Sequence, residues 1–102
     1  MTQLIERIDL LAKALVENYD KGGYKGDYNI EVMPGRKYYK LMEVNRNSRA
    51  VHAFVDATTG AIYKPASWRG PAKHARYQLL DDASFQECLK RADWAGGYLY
   101  LK

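Results

Sequence analysis

Three side chains in this sequence have the chemistry for nucleophilic or metal-assisted catalysis: His52, His74 and Cys88. A Cys–His nucleophile pair needs contact in space and a third group to orient the base. Cys88 falls in the stretch Phe85-x-x-Cys88-Leu89, an apolar helical spacing in which a small buried thiol is inert. Two histidines and one thiol at scattered positions give no zinc-site spacing. His52 sits in an alternating stretch between Arg49 and Phe54, a setting for a hydrogen-bonded structural histidine. No glycine-rich phosphate loop, nucleophile elbow or paired-carboxylate motif is present, and Asp81-Asp82 reads as a helix start. The expectation is a protein that is not an enzyme and carries neither cofactor nor metal.

A different chemistry is concentrated in YKPASWRGPAKHARYQLL, residues 63–80. Pro65 and Pro71 bracket Trp68, and Lys64, Arg69, Lys73 and Arg76 surround it with no acid between them. Cations hold phosphates, and an exposed aromatic ring stacks a base for about 1–3 kcal/mol. Arg49 and His52, just upstream, join these as candidate residues for binding nucleic acid or another polyanion, and Arg36, Lys37, Lys40 and Arg46 extend the patch. The alternative is that Trp68 is a core plug under a proline-bounded loop, since tryptophan is usually well buried. Charge is unevenly spread. Residues 34–76 hold nine basic groups against Glu43 and Asp56, whereas residues 1–33 hold four basic and six acidic groups. A basic block of this kind attracts nucleic acid or an acidic protein. Nine tyrosines supply a second class of expectation, because Tyr, Trp and Arg dominate interface hot spots. A homodimer, or a grip on a host protein through the same surface, follows from that.

The elements that must position these residues are legible in outline. Leu4, Ile8, Leu11, Leu15 and Tyr19 recur at helical spacing, with Ile5 widening the stripe. Thr2 is the expected N-cap and Gly22-Gly23 the stop; Arg7, Lys13 and Glu17 fall on the wet side. Tyr28, Ile30 and Val32 alternate as a short strand, and Met33-Pro34-Gly35-Arg36 is a turn. Residues 37–45 and 50–56 follow as strands, joined by a polar connection through Arg46 and Arg49. In 37–45, Tyr39 and Leu41 share one face while Tyr38, Lys40 and Met42 share the other, so the core face is not decided. Ala57-Thr58-Thr59-Gly60 is a hairpin loop with glycine where a left-handed residue is needed. Residues 61–64 return as a strand that Pro65 ends. Pro71 suits the first turn of a helix running to Leu80, which would aim Lys73 and Arg76 from a helix N-terminus. A last helix starts at Asp81-Asp82, or at a Ser84–Glu87 capping box, and runs to about Trp94. Tyr98 to Leu101 is a short terminal strand.

This order predicts one α+β domain over residues 1–102: an N-terminal helix, an antiparallel sheet of three to four strands, and a C-terminal helix or helices packed on one sheet face. One cysteine excludes an internal disulfide and fits a reducing compartment. No apolar run approaches the ~20 residues of a membrane helix, and an acidic N-terminal stretch is unlike a signal peptide. The expected setting is cytoplasmic, with no membrane partner.

The run SRAVHAFVDATTGAIYKPASWRGPAKHARYQLLD, residues 48–81, resembles a segment of small uncharacterised proteins from tailed bacteriophages, marine ones among them. The match rests on Ser48, Arg49, Val51, His52, Phe54 and Gly60, and on the core Lys64, Ala66, Ser67, Trp68, Pro71, Ala72, Lys73 and Arg76. It covers about a third of the chain and departs at Arg69-Gly70 and Tyr77-Gln78. The resemblance implies a phage origin, placing the chain in the host cytoplasm, and a shared surface, but no reaction. The combined expectation is a phage accessory protein that binds nucleic acid or another polyanion.

Overall fold

The helical stripe is where the fold begins. In the computed structural model, which describes residues 2–21, 28–45 and 48–100, α1 spans Thr2–Lys21. Leu4, Ile8, Leu11, Leu15 and Tyr19 all lie on its buried side. Ile5, expected to widen that side, is instead 43% exposed; Ala12 and Val16 widen it, packed against the core. Thr2, expected as the cap, is the first residue of α1 itself, and the stop at Gly22-Gly23, the connection through Arg46 and the strand end at Leu101 lie outside the described residues.

Five antiparallel strands follow in the order β1-β2-β3-β4-β5: β1 Asn29–Met33, β2 Tyr38–Asn45, β3 Ser48–Asp56, β4 Ala61–Tyr63 and β5 Tyr77–Gln78. The protein is of the α+β class. Its sheet has one strand more than the three to four expected, because β5 forms where a helix from Pro71 to Leu80 was expected. That helix is absent: Pro65 and Pro71 bridge one another, and the Ala72 N–H donates to Lys64 O at 2.7 Å. A second helix, α2, runs over Asp82–Arg91, stopping short of Trp94. The expected Ser84 capping box does not form, since Ser84 Oγ accepts the Gln78 N–H at 2.8 Å. Instead of a terminal strand, Gly97–Leu99 makes a single 3-10 turn.

One sheet face carries Ile30, Val32, Leu41, Ala53, Val55 and Ile62 against the apolar sides of both helices. Arg7, expected to face water, is folded into that layer. Its Nη1 donates to Leu79 O at 2.8 Å, its other terminal nitrogen pairs with Asp82, and its guanidinium lies 4.8 Å from the Phe85 ring centroid. One α1 side chain therefore ties the turn after β5 to the start of α2.

The β3–β4 hairpin obeys its sequence. Asp56 Oδ1 accepts the N–H groups of Thr58 and Thr59, and the Gly60 N–H returns to Asp56 O at 2.9 Å. Gly60 has φ +81°, and a Cβ there would meet Gln78 Oε1 and Leu80 Cγ at 2.8 Å. Replacing it thus combines backbone strain with a clash against β5 and its following turn. Gly60→Ala is expected to destabilise by about 2 kcal/mol or more, lowering the melting temperature by roughly 8 °C or more for a domain of this size. A thermal melt of that variant within a degree of the parent would contradict this hairpin geometry.

Candidate nucleic-acid interface

Strand pairing sets which side chains reach the sheet face away from the helices. Lys40 pairs with Phe54, Met42 with Val51, and Tyr63 with Phe54. Met42 and Phe54 are buried there without a helix above them. Tyr38 meets the Phe54 and Tyr63 rings edge-on at 5.9 and 6.2 Å. The result is an aromatic floor.

The proline-bounded segment folds over part of this floor. Past the Pro65–Pro71 bridge, the Ala66 and Ser67 N–H groups both donate to Gly70 O, at 3.1 and 3.2 Å. Ser67 Oγ accepts the Arg69 N–H at 3.1 Å. These bonds close a tight tip that holds Trp68 outward, 55% exposed. Trp68 is therefore not a core plug. Lys40 Nζ lies 5.7 Å from the Trp68 ring centroid and 5.7 Å from that of Phe54, so the cation bridges the floor and the tip. Its ammonium is stabilised by both π-faces while remaining near solvent.

Beside Lys40 the floor opens into a groove of about 300 Å³ whose lining includes Met33, Arg36, Lys37, Tyr38, Phe54 and Arg69. Four cations, Arg36, Lys37, Lys40 and Arg69, line it without a carboxylate. Asp56, close in sequence to this end of the sheet, is turned into its own hairpin. The Thr59 and Thr58 N–H groups, with the nearby Lys37 ammonium, hold its carboxyl below the ordinary value.

The seven residues expected to form the surface divide. Trp68 and Arg69 are at the groove, and Arg49 is exposed on the outer side of β3, where it pairs with Glu31 at 2.9 Å. Lys64 lies 4.9 Å from the Tyr100 ring centroid. Lys73 is exposed, but its carbonyl accepts from Arg76 at 2.5 Å. Arg76 is occupied structurally. Its guanidinium also donates to Leu99 O at 2.6 Å and to His74 O, and His74 takes the left-handed conformation, φ +72°, beside it. The helix N-terminus that was to present Lys73 and Arg76 does not exist.

His52 is the clearest departure. The β2–β3 register steps from Leu41↔Ala53 to Met42↔Val51, leaving His52 as an extra residue in β3. Such a bulge breaks the alternation of faces. His52 is 4% exposed. Its Nε2 and Tyr98 Oη share a hydrogen bond of 2.8 Å, and its Nδ1 is 3.7 Å from Glu43 Oε2. It is a packed, hydrogen-bonded residue. Arg36, Lys37 and Lys40, expected only to extend the patch, are its centre. Tyr38 and Phe54 were legible as same-face neighbours only once the register was known.

Cys88 is fully buried, and burial pushes its thiol up to about 12. Among the described residues no group of three His, Cys, Asp or Glu is placed to hold a metal ion, and no helix is long and apolar enough to cross a membrane.

Residues 2–101 match a family of unknown function, DUF7717. The chain belongs to that family. No curated protein and no solved structure matches it.

Burial also raises the Tyr77 and Tyr98 hydroxyls, and burial with the Glu43 carboxylate raises that of Tyr28. Above pH 9.0 an unfolded chain releases the Cys88 proton while the folded one keeps it to about 12. The unfolded state then binds fewer protons, so stability is full below the first value and falls through the second. The tyrosines add to that loss above their ordinary value of 10.0. The melting temperature is expected to hold to about pH 9 and fall increasingly above it, and a thiol reagent at neutral pH should label Cys88 only after unfolding. Rapid labelling of the native protein would contradict this burial.

Proposed function

We propose that this chain is a non-enzymatic phage accessory protein, working in the host cytoplasm, that binds nucleic acid or another polyanion across the outer face of its sheet. The observation that carries this reading is the groove lined by Arg36, Lys37, Lys40 and Arg69 with no carboxylate, adjoining a half-exposed tryptophan. A neutral or cationic ligand would leave those cations without a counter-charge from the ligand; a phosphate backbone neutralises them and releases its counterions. The segment that resembles phage proteins supplies Trp68 and the tip on which it stands, in keeping with the shared surface that the resemblance implies.

A second reading uses the same face for protein contact. Trp68 and Met33, 55% and 43% exposed, beside Arg69, have the residue types of an interface centre. Length dependence separates the two, because a nucleic-acid binder gains affinity with added nucleotides and a protein-binding patch does not.

Four phosphate contacts give an expected slope of log affinity on log salt of about −3 for single strands and about −3.6 for duplex. The double variant Lys37→Ala/Arg69→Ala should halve that slope without changing the melting temperature. The check is fluorescence anisotropy of labelled oligonucleotides across a salt series. No binding at low salt, together with a dimer by sedimentation that Trp68→Ala dissociates, would replace the first reading with the second.

A further inference from the structure

Resting on the polyanion reading of this face, we infer that its ligand is single-stranded nucleic acid, held by stacking of an unpaired base on Trp68 as well as by phosphate contacts. Four cations alone would not distinguish a duplex, a single strand or inorganic polyphosphate, since each offers a row of negative charge. Trp68 makes the distinction. Its ring is held out by the backbone bonds of Ala66 and Ser67 to Gly70 O, and it remains 55% exposed. Lys40 Nζ is 5.7 Å from its centroid. An exposed indole with a neighbouring cation matches the face of a base and the charge of its adjoining phosphate. A duplex keeps its base faces inside the stack and presents only edges and backbone, so it cannot use that ring. Unpaired bases can, whatever their sequence, because every base has a π-face.

The surrounding geometry fits the same ligand. Arg69 follows Trp68 directly in the chain and lines the groove with Lys40. A strand with one base on the indole can therefore run its next phosphates across Lys40 and Arg69 toward Lys37. Tyr38, half-buried beside Lys37, lies along that path, and Lys37 Nζ is 5.5 Å from its ring centroid. The groove offers ring faces and cations and no carboxylate in its lining, so it accepts bases without selecting among them. The inferred site holds roughly four nucleotides, near the lower end for stacking platforms of this kind.

The test measures binding of three probes at one salt concentration: a twelve-residue oligothymidylate, a twelve-base-pair duplex and inorganic polyphosphate. The proteins are the parent, Trp68→Ala, Trp68→Phe and Lys37→Ala/Arg69→Ala. Trp68 is half-exposed, so its variants should keep the parent's melting temperature. Trp68→Ala is expected to weaken oligothymidylate binding roughly fivefold to a hundredfold and to leave duplex and polyphosphate within twofold. Trp68→Phe should recover most of the loss, and the double variant should weaken all three probes. If Trp68→Ala leaves oligothymidylate unchanged while the double variant weakens every probe, the stacking inference falls and the polyanion reading stands. If none of the probes binds the parent protein, both fall.

Discussion

A five-stranded sheet has two faces, and this chain has helix enough for only one. α1 and α2 together cover the side that carries Ile30, Leu41, Ala53, Val55 and Ile62. The other side must be closed by its own side chains and by whatever loop can reach it. Met42 and Phe54 are buried there in the absence of a helix, beneath long side chains and a proline-bounded tip. Lys40 is the economical element in that arrangement, since its aliphatic stem covers apolar surface while its ammonium stays near water between two rings. The half-covered face is thus both a structural problem and the source of the cationic, aromatic surface around Lys40.

The covered face imposes its own condition on β3. An uninterrupted strand would send His52 outward beside Phe54. The extra residue at His52 instead lets its ring be buried, where Tyr98 Oη satisfies one nitrogen and Glu43 lies near the other. Leaving that imidazole buried without a partner would cost roughly 1–3 kcal/mol. The 3-10 turn at Gly97–Leu99 that supplies Tyr98 also supplies Leu99 O to Arg76. The chain's end is held by two residues that looked, in sequence, like parts of a binding surface.

That distinction explains what the sequence could disclose. The α1 stripe, the four longer strands and the Asp56–Gly60 hairpin were legible because periodicity and turn chemistry are local properties. The outer cluster of Tyr38, Lys40 and Met42 was visible as one face of a strand, although not as the uncovered one. Whether Trp68 stood in or out was undecidable from composition, because the Pro65–Pro71 bridge that fixes it is a contact between segments. The bulge at His52 leaves no local mark, since the alternation it breaks is defined only against β2. The helix expected after Pro71 was a propensity overridden by pairing: Arg76 N–H bonds to Ile62 O, and Tyr77 pairs with Ile62 to make β5. Arg7 and Arg76 share one further lesson. A guanidinium has five donors, and in a small domain it can serve as a clamp for carbonyls as readily as a contact for phosphate.

Charge is sorted by the same two-sided geometry, and its consequence depends on distance. Glu6, Asp9, Glu17 and Asp20 are carried by α1, on the helical side, while the groove cations stand on the opposite side of the sheet. The sheet lies between the two sets of charge, and salt at 0.1 M screens exposed charge over about 10 Å. The acids on α1 therefore subtract little from the potential at the groove. A formal net charge of +4 over the whole chain says little about any one side: Arg36, Lys37, Lys40 and Arg69 gather at the groove, with Asp56 near Lys37 as a neighbouring carboxylate. Such a field orients the encounter before any contact is made. On the proposed reading, that field would turn the uncovered face toward a polyanion, with Trp68 already held outward on its closed tip.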